Sequence, residues 1–255
     1  MTADAAPLTA QNVPGFDGAN LSVRRLGQGR PVLLLHGLFS SAQVNWIRFG
    51  HARALADAGF EAIMPDLRGH GDSAAPHDPA AWPHDVLVRD VTALVDRLEL
   101  VDFDLVGFSL GARTAARAVI DGLRPRRLVL AGMGLSGLAG WNRRATFFLD
   151  AIARFDEVKH GDPAFMAVSF MKTMKVDRDA ARLLLGSVGD LAPADLAAIT
   201  MPTLVLCGAQ DRDNGDPHAL VDALPQGEFA EIPGTHMSSV AEPAMGEALV
   251  RFLSA

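Results

Sequence analysis

The chain has 255 residues, of which 49% are hydrophobic and 21% charged, and its formal net charge is −7. This length is sufficient for one large α/β domain with a sizeable core and a small insertion. A net negative charge without a dense basic stretch argues against nucleic acid or an anionic membrane as a partner, so we expect neither.

One cysteine, Cys207, is present, which excludes a disulfide within these residues and fits a reducing compartment. It lies in an apolar run, and we interpret it as a buried strand residue rather than a nucleophile. Residues 1–11 lack a cationic start followed by an apolar segment, and no apolar stretch approaches the ~18 residues of a membrane span. We therefore expect no signal peptide, no membrane span and a cytoplasmic location. The oligomeric state is not predicted.

Strand and helix patterns alternate along the chain after a short lead-in. Residues 1–12 are expected to form a poorly ordered tail, and residues 13–29 an antiparallel strand or hairpin with turns at 17–18 and 27–29. Short apolar runs predict buried strands at 31–35, 62–64, 103–106, 127–130 and 202–207, and a weaker strand at 228–232. Helical patterns cover residues 42–58, 85–98, 110–121, 217–224 and 243–253. This alternation predicts a mostly parallel central sheet flanked by helices on both faces.

The alternation stops after Met133 and returns near residue 202. Between these points, residues 135–198 carry Phe, Met, Leu and Arg at helical spacing and no convincing strand pattern. We interpret this segment as a small helical cap inserted into the domain. The predicted organisation is a core formed by residues 1–134 and 199–255, interrupted by a cap at residues 135–198.

The strongest chemical signal is the segment Gly107-Phe108-Ser109-Leu110-Gly111, which follows a predicted buried strand and opens a predicted helix. The pattern Gly-x-Ser-x-Gly is weak by itself, but this placement is typical of a nucleophile elbow. There the serine has a strained backbone, and the glycines leave room for the tight turn. Ser109 is therefore the predicted nucleophile.

A serine hydroxyl is a poor nucleophile at neutral pH and needs a base, which in turn needs an orienting acid. His236 lies between the last predicted strand and the last predicted helix, at the sheet edge where such folds build their sites. Asp211 follows the preceding strand, which gives the order Ser, Asp, His along the chain. The strand at 127–130 ends without a carboxylate, which favours Asp211, while Asp213 remains a rival for the role of acid.

The loop that follows the first long apolar strand reads His36-Gly37-Leu38-Phe39. Acyl transfer places negative charge on the former carbonyl oxygen, which preorganised backbone N–H groups can stabilise. The predicted donors of this oxyanion hole are the N–H of Leu110, at the start of the helix after the nucleophile, and the N–H of Leu38, with Phe39 as an alternative. His36 is interpreted as a structural residue that braces this loop.

Together these motifs resemble the α/β-hydrolase superfamily, in its branch of small capped serine esterases and related hydrolases. The resemblance extends over about residues 20–253 and rests on His36-Gly37, the segment 66–73, the elbow around Ser109, and the segments around Asp211 and His236. It implies an α/β-hydrolase fold with an eight-stranded sheet, an antiparallel second strand and a helical cap after the sixth strand. The chain departs from the family pattern at Thr235, where relatives often have glycine directly before the histidine.

The expected function is hydrolysis of carboxylic esters of small to medium apolar acyl groups through an acyl-enzyme, with a small-molecule ester as the partner. Four apolar side chains beside the motifs are the predicted substrate contacts: Phe39, Phe108, Met133 and Met237. No phosphate-binding glycine loop and no histidine pair with metal-ligand spacing is present, so neither a cofactor nor a metal is predicted.

Two alternatives stay open at this stage. A hydrolase of carbon–carbon bonds in ring-cleavage products uses similar residues, and a ligand receptor on the same fold could retain the same residues with vestigial hydrolysis. The resemblance also implies that a serine at position 109 argues against epoxide hydrolysis and haloalkane dehalogenation, which similar enzymes perform with a carboxylate nucleophile. Cofactor-free perhydrolysis remains open as a side activity.

Overall fold

A sheet of eight strands runs through the computed structural model, which describes residues 7–255. In space the strands follow the order β1-β2-β4-β3-β5-β6-β7-β8. Strand β2 pairs antiparallel with both of its neighbours, β1 and β4. The remaining neighbours, in the spatial order β4-β3-β5-β6-β7-β8, all pair parallel. The strands are Thr9–Pro14 (β1), Asn20–Gly27 (β2), Arg30–Leu35 (β3), Phe60–Pro65 (β4), Asp104–Phe108 (β5), Leu128–Ala131 (β6), Thr203–Gly208 (β7) and Gly227–Ile232 (β8).

Helices cover both faces of this sheet, as the alternating pattern predicts. The α-helices of the described residues are His51–Asp57 (α1), Val86–Arg97 (α2), Leu110–Ile120 (α3), Leu135–Leu138 (α4), Trp141–Ala153 (α5), Phe165–Thr173 (α6), Arg178–Ser187 (α7), Pro217–Ala223 (α8) and Pro243–Ser254 (α9). Side chains of β3 alternate between two apolar cores, one shared with α2 and α3 and the other with α1 and α9. The sheet with helices on both faces and an antiparallel second strand confirms the predicted fold class.

Two predicted boundaries were wrong. Residues 9–12 were expected in a tail but belong to β1, which pairs along its whole length with β2; residues 1–6 lie outside the described residues. The helix expected over residues 42–58 is broken: a short π-helix, Gln43–Ile47, and α1 are separated at Gly50, where φ is +84°. A left-handed residue cannot continue a right-handed helix, so the chain changes direction there.

The segment between β6 and β7 contains helices α4 to α7 and a 3₁₀-helix, Pro193–Ala198, and no strand is present there. Trp141, Val168 and Leu184 are buried in the apolar core that α2 and α3 also line. The segment therefore packs on the same side of the sheet as these helices. Its division from the core at residues 135 and 198 stays a prediction.

A buried arginine ties the lead-in hairpin to the rest of the fold. The side chain of Arg68, in the loop after β4, is fully buried and pairs with Asp90 of α2 at 2.8 Å and with Asp17 of the β1–β2 turn at 2.6 Å. Its guanidinium also lies 5.0 Å from the ring of Phe16. Burial raises the pKa of the Asp90 carboxyl even beside this cation. The network thus holds the loop after β4, whose Leu67 N–H donates to the ring of His36 in the loop after β3.

None of the helices in residues 7–255 combines the length and the apolar character that crossing a bilayer requires.

We predict that Arg68→Met lowers the free energy of unfolding by about 3 kcal/mol, because it leaves the Asp90 carboxyl buried without its partner. Urea denaturation followed by circular dichroism measures the change. Arg182→Met, which removes a half-exposed partner of Asp179 on α7, is the matched control and should change stability much less. Equal losses in the two variants would contradict a stabilising role for the buried network.

Candidate active site

Ser109 occupies a tight turn between β5 and α3, with φ at +53°. Few residues other than glycine adopt such a φ, so the backbone is strained at this position. A Cβ atom built on Gly107 would lie 2.3 Å from the backbone of Gly111, and one built on Gly111 would lie 2.2 Å from the carbonyl oxygen of Leu35. Both glycines are therefore required for the close approach of strand and helix that presents the serine.

Two hydrogen bonds join the predicted nucleophile, base and acid. The Oγ of Ser109 lies 3.0 Å from Nε2 of His236, and Nδ1 of His236 lies 2.9 Å from Oδ2 of Asp211. An ionised carboxylate only accepts hydrogen bonds, so the proton of the neutral imidazole is on Nδ1. Nε2 then has a free lone pair that accepts the Ser109 hydroxyl. All three side chains are buried, and the arrangement can activate a hydroxyl for attack.

The carboxylate beside His236 belongs to Asp211, not to its rival Asp213. The N–H of Asp213 donates to Oδ1 of Asp211 at 3.0 Å, and the Asp213 residue itself is exposed. Burial alone would raise the pKa of the Asp211 carboxyl. The His236 ring, the Asp213 N–H and the charge of Arg144 outweigh burial and hold that pKa below its usual value. Asp211 is therefore an anion at neutral pH.

The loop after β3 packs directly against the elbow. A Cβ atom on Gly37 would lie 3.5 Å from Cβ of Ser109, and the Gly37 N–H donates to the buried Asn45 side chain at 3.2 Å. Within residues 7–255, the backbone N–H groups of Leu38 and Leu110 donate to no protein acceptor. Two free N–H donors beside a nucleophile are the groups that an oxyanion hole needs.

His36 links this loop to the loop after β4. The N–H of Leu67 donates to Nε2 of His36 at 2.9 Å, which leaves Nδ1 to donate to the carbonyl of Gly37 at 2.8 Å. Burial lowers the pKa of the His36 imidazole, so the ring is neutral and both of its nitrogens are occupied. These contacts fit a bracing role and leave no nitrogen for use as a second base.

The four predicted substrate contacts have different environments. Phe108 is buried, with its ring stacked 5.1 Å from that of His236, and Met133 is buried beside Gly137. Phe39 is also buried, whereas Met237 is 54% exposed. The Phe108 ring thus supports the imidazole, whereas Met133 packs against the segment after β6. Contact of these residues with a substrate stays a prediction.

Asn214 and Arg144 are two site residues that sequence reasoning missed. The buried Asn214 side chain donates to the carbonyl of Gly132 at 2.7 Å, and its backbone carbonyl accepts from the N–H of Gly137 at 2.8 Å. Arg144 of α5 donates to the carbonyl of Asp213 at 3.1 Å. These bonds join the loop that carries Asp211 to the segment after β6. No motif marks them, because their partners are distant along the chain.

Other chemically reactive side chains lie outside this arrangement. Cys207 is buried in β7, and burial raises the pKa of its thiol to about 12, so the sulfur stays protonated. His77, Asp177 and Asp179 place potential metal-ligand atoms within 4.8 Å of one another. There the imidazole of His77 is hydrogen-bonded at 2.7 Å to Asp177, which caps α7. The expectation of a metal-free protein stays a prediction.

Known proteins resemble this chain in sequence and structure. A family model described as alpha/beta hydrolase fold matches residues 30–182. An epoxide hydrolase from Caballeronia sordidicola is 35% identical over 127 residues, which is 50% of this chain and 37% of that protein. A non-heme chloroperoxidase from Kitasatospora aureofaciens is 35% identical over 108 residues, which is 40% of this chain and 36% of that protein. The crystal structure of a hydrolase from Pseudomonas aeruginosa matches with a TM-score of 0.72 and 25% identity, over 97% of this chain and 99% of that chain.

The chain spans little more than a third of the length of the two curated relatives, whereas the structural match extends over nearly the whole of both chains. The family model includes the loop after β3, the loop after β4 and the elbow around Ser109. It matches more than half of the residues. The chain therefore belongs to the alpha/beta hydrolase fold family.

Proposed function

We propose that the protein is a serine hydrolase that cleaves carboxylic esters of small to medium acyl groups through an acyl-enzyme. The observation that carries this proposal is the pair of hydrogen bonds, 3.0 and 2.9 Å long, that connects Ser109, His236 and Asp211 at a strained elbow. Free N–H groups on Leu38 and Leu110 support it further. The membership of the family supports hydrolysis, and the ester is inferred from the chemistry of the site.

In the proposed reaction, Oγ of Ser109 attacks the carbonyl carbon of the ester while Nε2 of His236 takes the hydroxyl proton. Asp211 stabilises the resulting imidazolium, and the N–H groups of Leu38 and Leu110 bind the oxyanion. The tetrahedral intermediate collapses as His236 returns the proton to the departing alcohol, which leaves an acyl group on Ser109. Water, deprotonated by the same imidazole, then releases the acid and restores the serine.

One relative is named an epoxide hydrolase, and the identity of the nucleophile decides whether this chain is suited to that reaction. A carboxylate that opens an epoxide forms an ester, which water can hydrolyse to regenerate the enzyme. A serine that opens an epoxide forms an ether, which water does not cleave under these conditions. Ser109 is thus suited to acyl transfer, and the balance of bonds disfavours epoxides as substrates.

Steady turnover of p-nitrophenyl acetate and butyrate tests the function as a whole. Many turnovers per site would support the esterase, whereas one burst followed by arrest would indicate a receptor with vestigial hydrolysis. The alternative of a carbon–carbon bond hydrolase is tested in parallel with a vinylogous ketone of the kind that ring cleavage produces. Turnover of the ketone without turnover of either ester would replace the ester proposal.

We predict that Ser109→Ala lowers kcat for p-nitrophenyl butyrate by at least about 10³-fold, because the covalent route depends on this hydroxyl. Circular dichroism should show an unchanged fold, since the substitution removes one oxygen atom from a preformed turn. Retention of more than about a tenth of the wild-type kcat, far above the losses known for triads, would overturn the assignment of the nucleophile.

Asp211→Asn and Asp213→Asn form a matched pair, since both replace a carboxylate by an amide within the same loop. We expect Asp211→Asn to lower kcat by up to about 10⁴-fold, because an amide cannot stabilise the imidazolium and favours the wrong tautomer. Asp213→Asn should have a small effect, because its side chain is not the partner of His236. Steady-state kinetics on one ester measures both variants. A larger loss for Asp213→Asn would assign the acid to that residue.

Acyl-chain length tests the proposed preference for small to medium acyl groups. The ring of Phe148 in α5 lies edge-to-face 5.4 Å from that of Phe39, so an aromatic side chain of the helical segment lies close to the loop that flanks Ser109. Each methylene of the acyl chain that is buried against the protein stabilises the bound substrate by about 0.8 kcal/mol. We therefore expect kcat/KM to rise with acyl length until the space beside Ser109 is filled, and then to fall. p-Nitrophenyl esters from acetate to palmitate measure the profile. A monotonic rise to palmitate, or a jump when substrate forms droplets, would point to a lipase.

A further inference from the structure

One face of helix α5 reaches two of the loops that form the candidate site. Arg144 and Phe148 are one helical turn apart and therefore lie on the same face. Phe148 contacts Phe39 of the loop after β3, with ring centroids 5.4 Å apart, and Nη1 of Arg144 donates to the carbonyl of Asp213 at 3.1 Å. The helix thus extends from the oxyanion side of the site to the acid side. The guanidinium of Arg144 lies 5.5 Å from the Phe148 ring.

Arg144 is half-buried, unlike its exposed neighbour Arg143, and it differs in its charge balance from the three later arginines of the helical segment. Arg154, Arg178 and Arg182 each pair with at least one carboxylate, at distances from 2.8 to 3.6 Å. Within residues 7–255, the half-buried side chain of Arg144 forms no ion pair, and its guanidinium donates one hydrogen bond to protein, to the backbone carbonyl of Asp213. A guanidinium has five N–H donors in a planar fork, so most of its donors have no protein acceptor.

Burial makes the charge of this guanidinium costly. Burial lowers the pKa of Arg144, and the attraction of Asp213 and Asp211 only partly opposes burial. A cation withdrawn from water without a close counter-ion lowers stability. A carboxylate supplied by a ligand would offset that loss, and arginine binds carboxylates with two parallel hydrogen bonds.

We propose that Arg144 binds a free carboxylate at the far end of the substrate's acyl chain, so that the preferred substrates are monoesters of short dicarboxylic acids. This inference rests on the proposed ester hydrolysis and specifies its substrate class. An acyl chain attached to Ser109 would pass along Phe39 and Phe148, and its distal carboxylate would then meet the guanidinium. Arg144 is a specificity residue in this scheme, whereas the bond-making groups remain those of the triad.

The test compares mono-p-nitrophenyl glutarate with p-nitrophenyl pentanoate, two esters of equal chain length that differ in the terminal carboxylate. We expect the wild type to prefer the glutarate ester by about tenfold or more in kcat/KM, in line with hydrogen bonds to charged groups. Arg144→Met should abolish this preference. Because the charge of Arg144 also helps to hold Asp211 ionised, the rate on the pentanoate ester is expected to fall too, so the quantity that decides is the ratio of kcat/KM for the two esters. Arg144→Lys should keep part of the preference, because it keeps the charge but not the fork. Arg143→Met, an exposed neighbour on the same helix, is the control and should keep the full preference.

A binding measurement separates this inference from the esterase proposal. In a Ser109→Ala background, titration calorimetry with monomethyl glutarate and methyl pentanoate reports recognition without turnover. The glutarate ester should bind at least about tenfold more tightly, again by the strength of charged hydrogen bonds, and Arg144→Met should remove the difference. Equal binding of the two esters would overturn the inference even in an active esterase. If Arg144→Met lowered kcat/KM by the same factor for both esters, the inference would also be overturned, and Arg144 would be assigned to positioning the Asp211 loop.

If the protein bound the glutarate ester more tightly but turned over neither ester, the inference would be supported and the esterase proposal defeated.

Discussion

The arrangement of the site depends on how closely β5 and α3 approach each other at the elbow. The backbone leaves a parallel strand and enters a helix within one residue, Ser109, which takes up a φ of +53°. That geometry is accessible only because Gly107 and Gly111 have no Cβ atom to fill the space between strand, helix and the end of β3. The elbow places the serine at the carboxyl edge of the sheet, and the neighbouring loops are arranged around it. A side chain at either glycine would separate β5 from α3, and with them the hydroxyl from the loops after β3, β7 and β8.

Much of this could be inferred from the sequence, because the relevant constraints are local. A short run of apolar residues indicates a strand that is buried on both faces of the sheet. These runs predicted the parallel strands to within about two residues of their observed bounds. The elbow was recognisable because its tight turn requires glycine two residues before and two residues after Ser109. Asp211 and His236 could be placed because each follows a buried strand, and the carboxyl ends of parallel strands share one edge.

The remaining features could not be inferred because they come from pairing across the chain. Strand β1 is almost entirely exposed, so residues 9–12 have no apolar alternation, and only the hydrogen bonds to β2 define it. Gly50 stands in a pattern that otherwise favours a single helix, and its positive φ is visible only in three dimensions. Asn214 and Arg144 are polar residues without a motif. Their contacts, to Gly132 and to the backbone of Asp213, connect positions that lie 82 and 69 residues apart along the chain.

The separation of the site residues along the chain has a consequence for biosynthesis. Ser109 precedes His236 by 127 residues, and β6, the helical segment, β7 and β8 are all made in between. A ribosome that has just completed the elbow therefore carries a chain whose serine has neither a base nor an acid partner. Contacts so distant in sequence form late, because the intervening chain must first be ordered. The Ser109 hydroxyl is thus not activated during elongation. His236 and Asp211 reach it only when β8 pairs with β7 as the outermost strand on that side of the sheet.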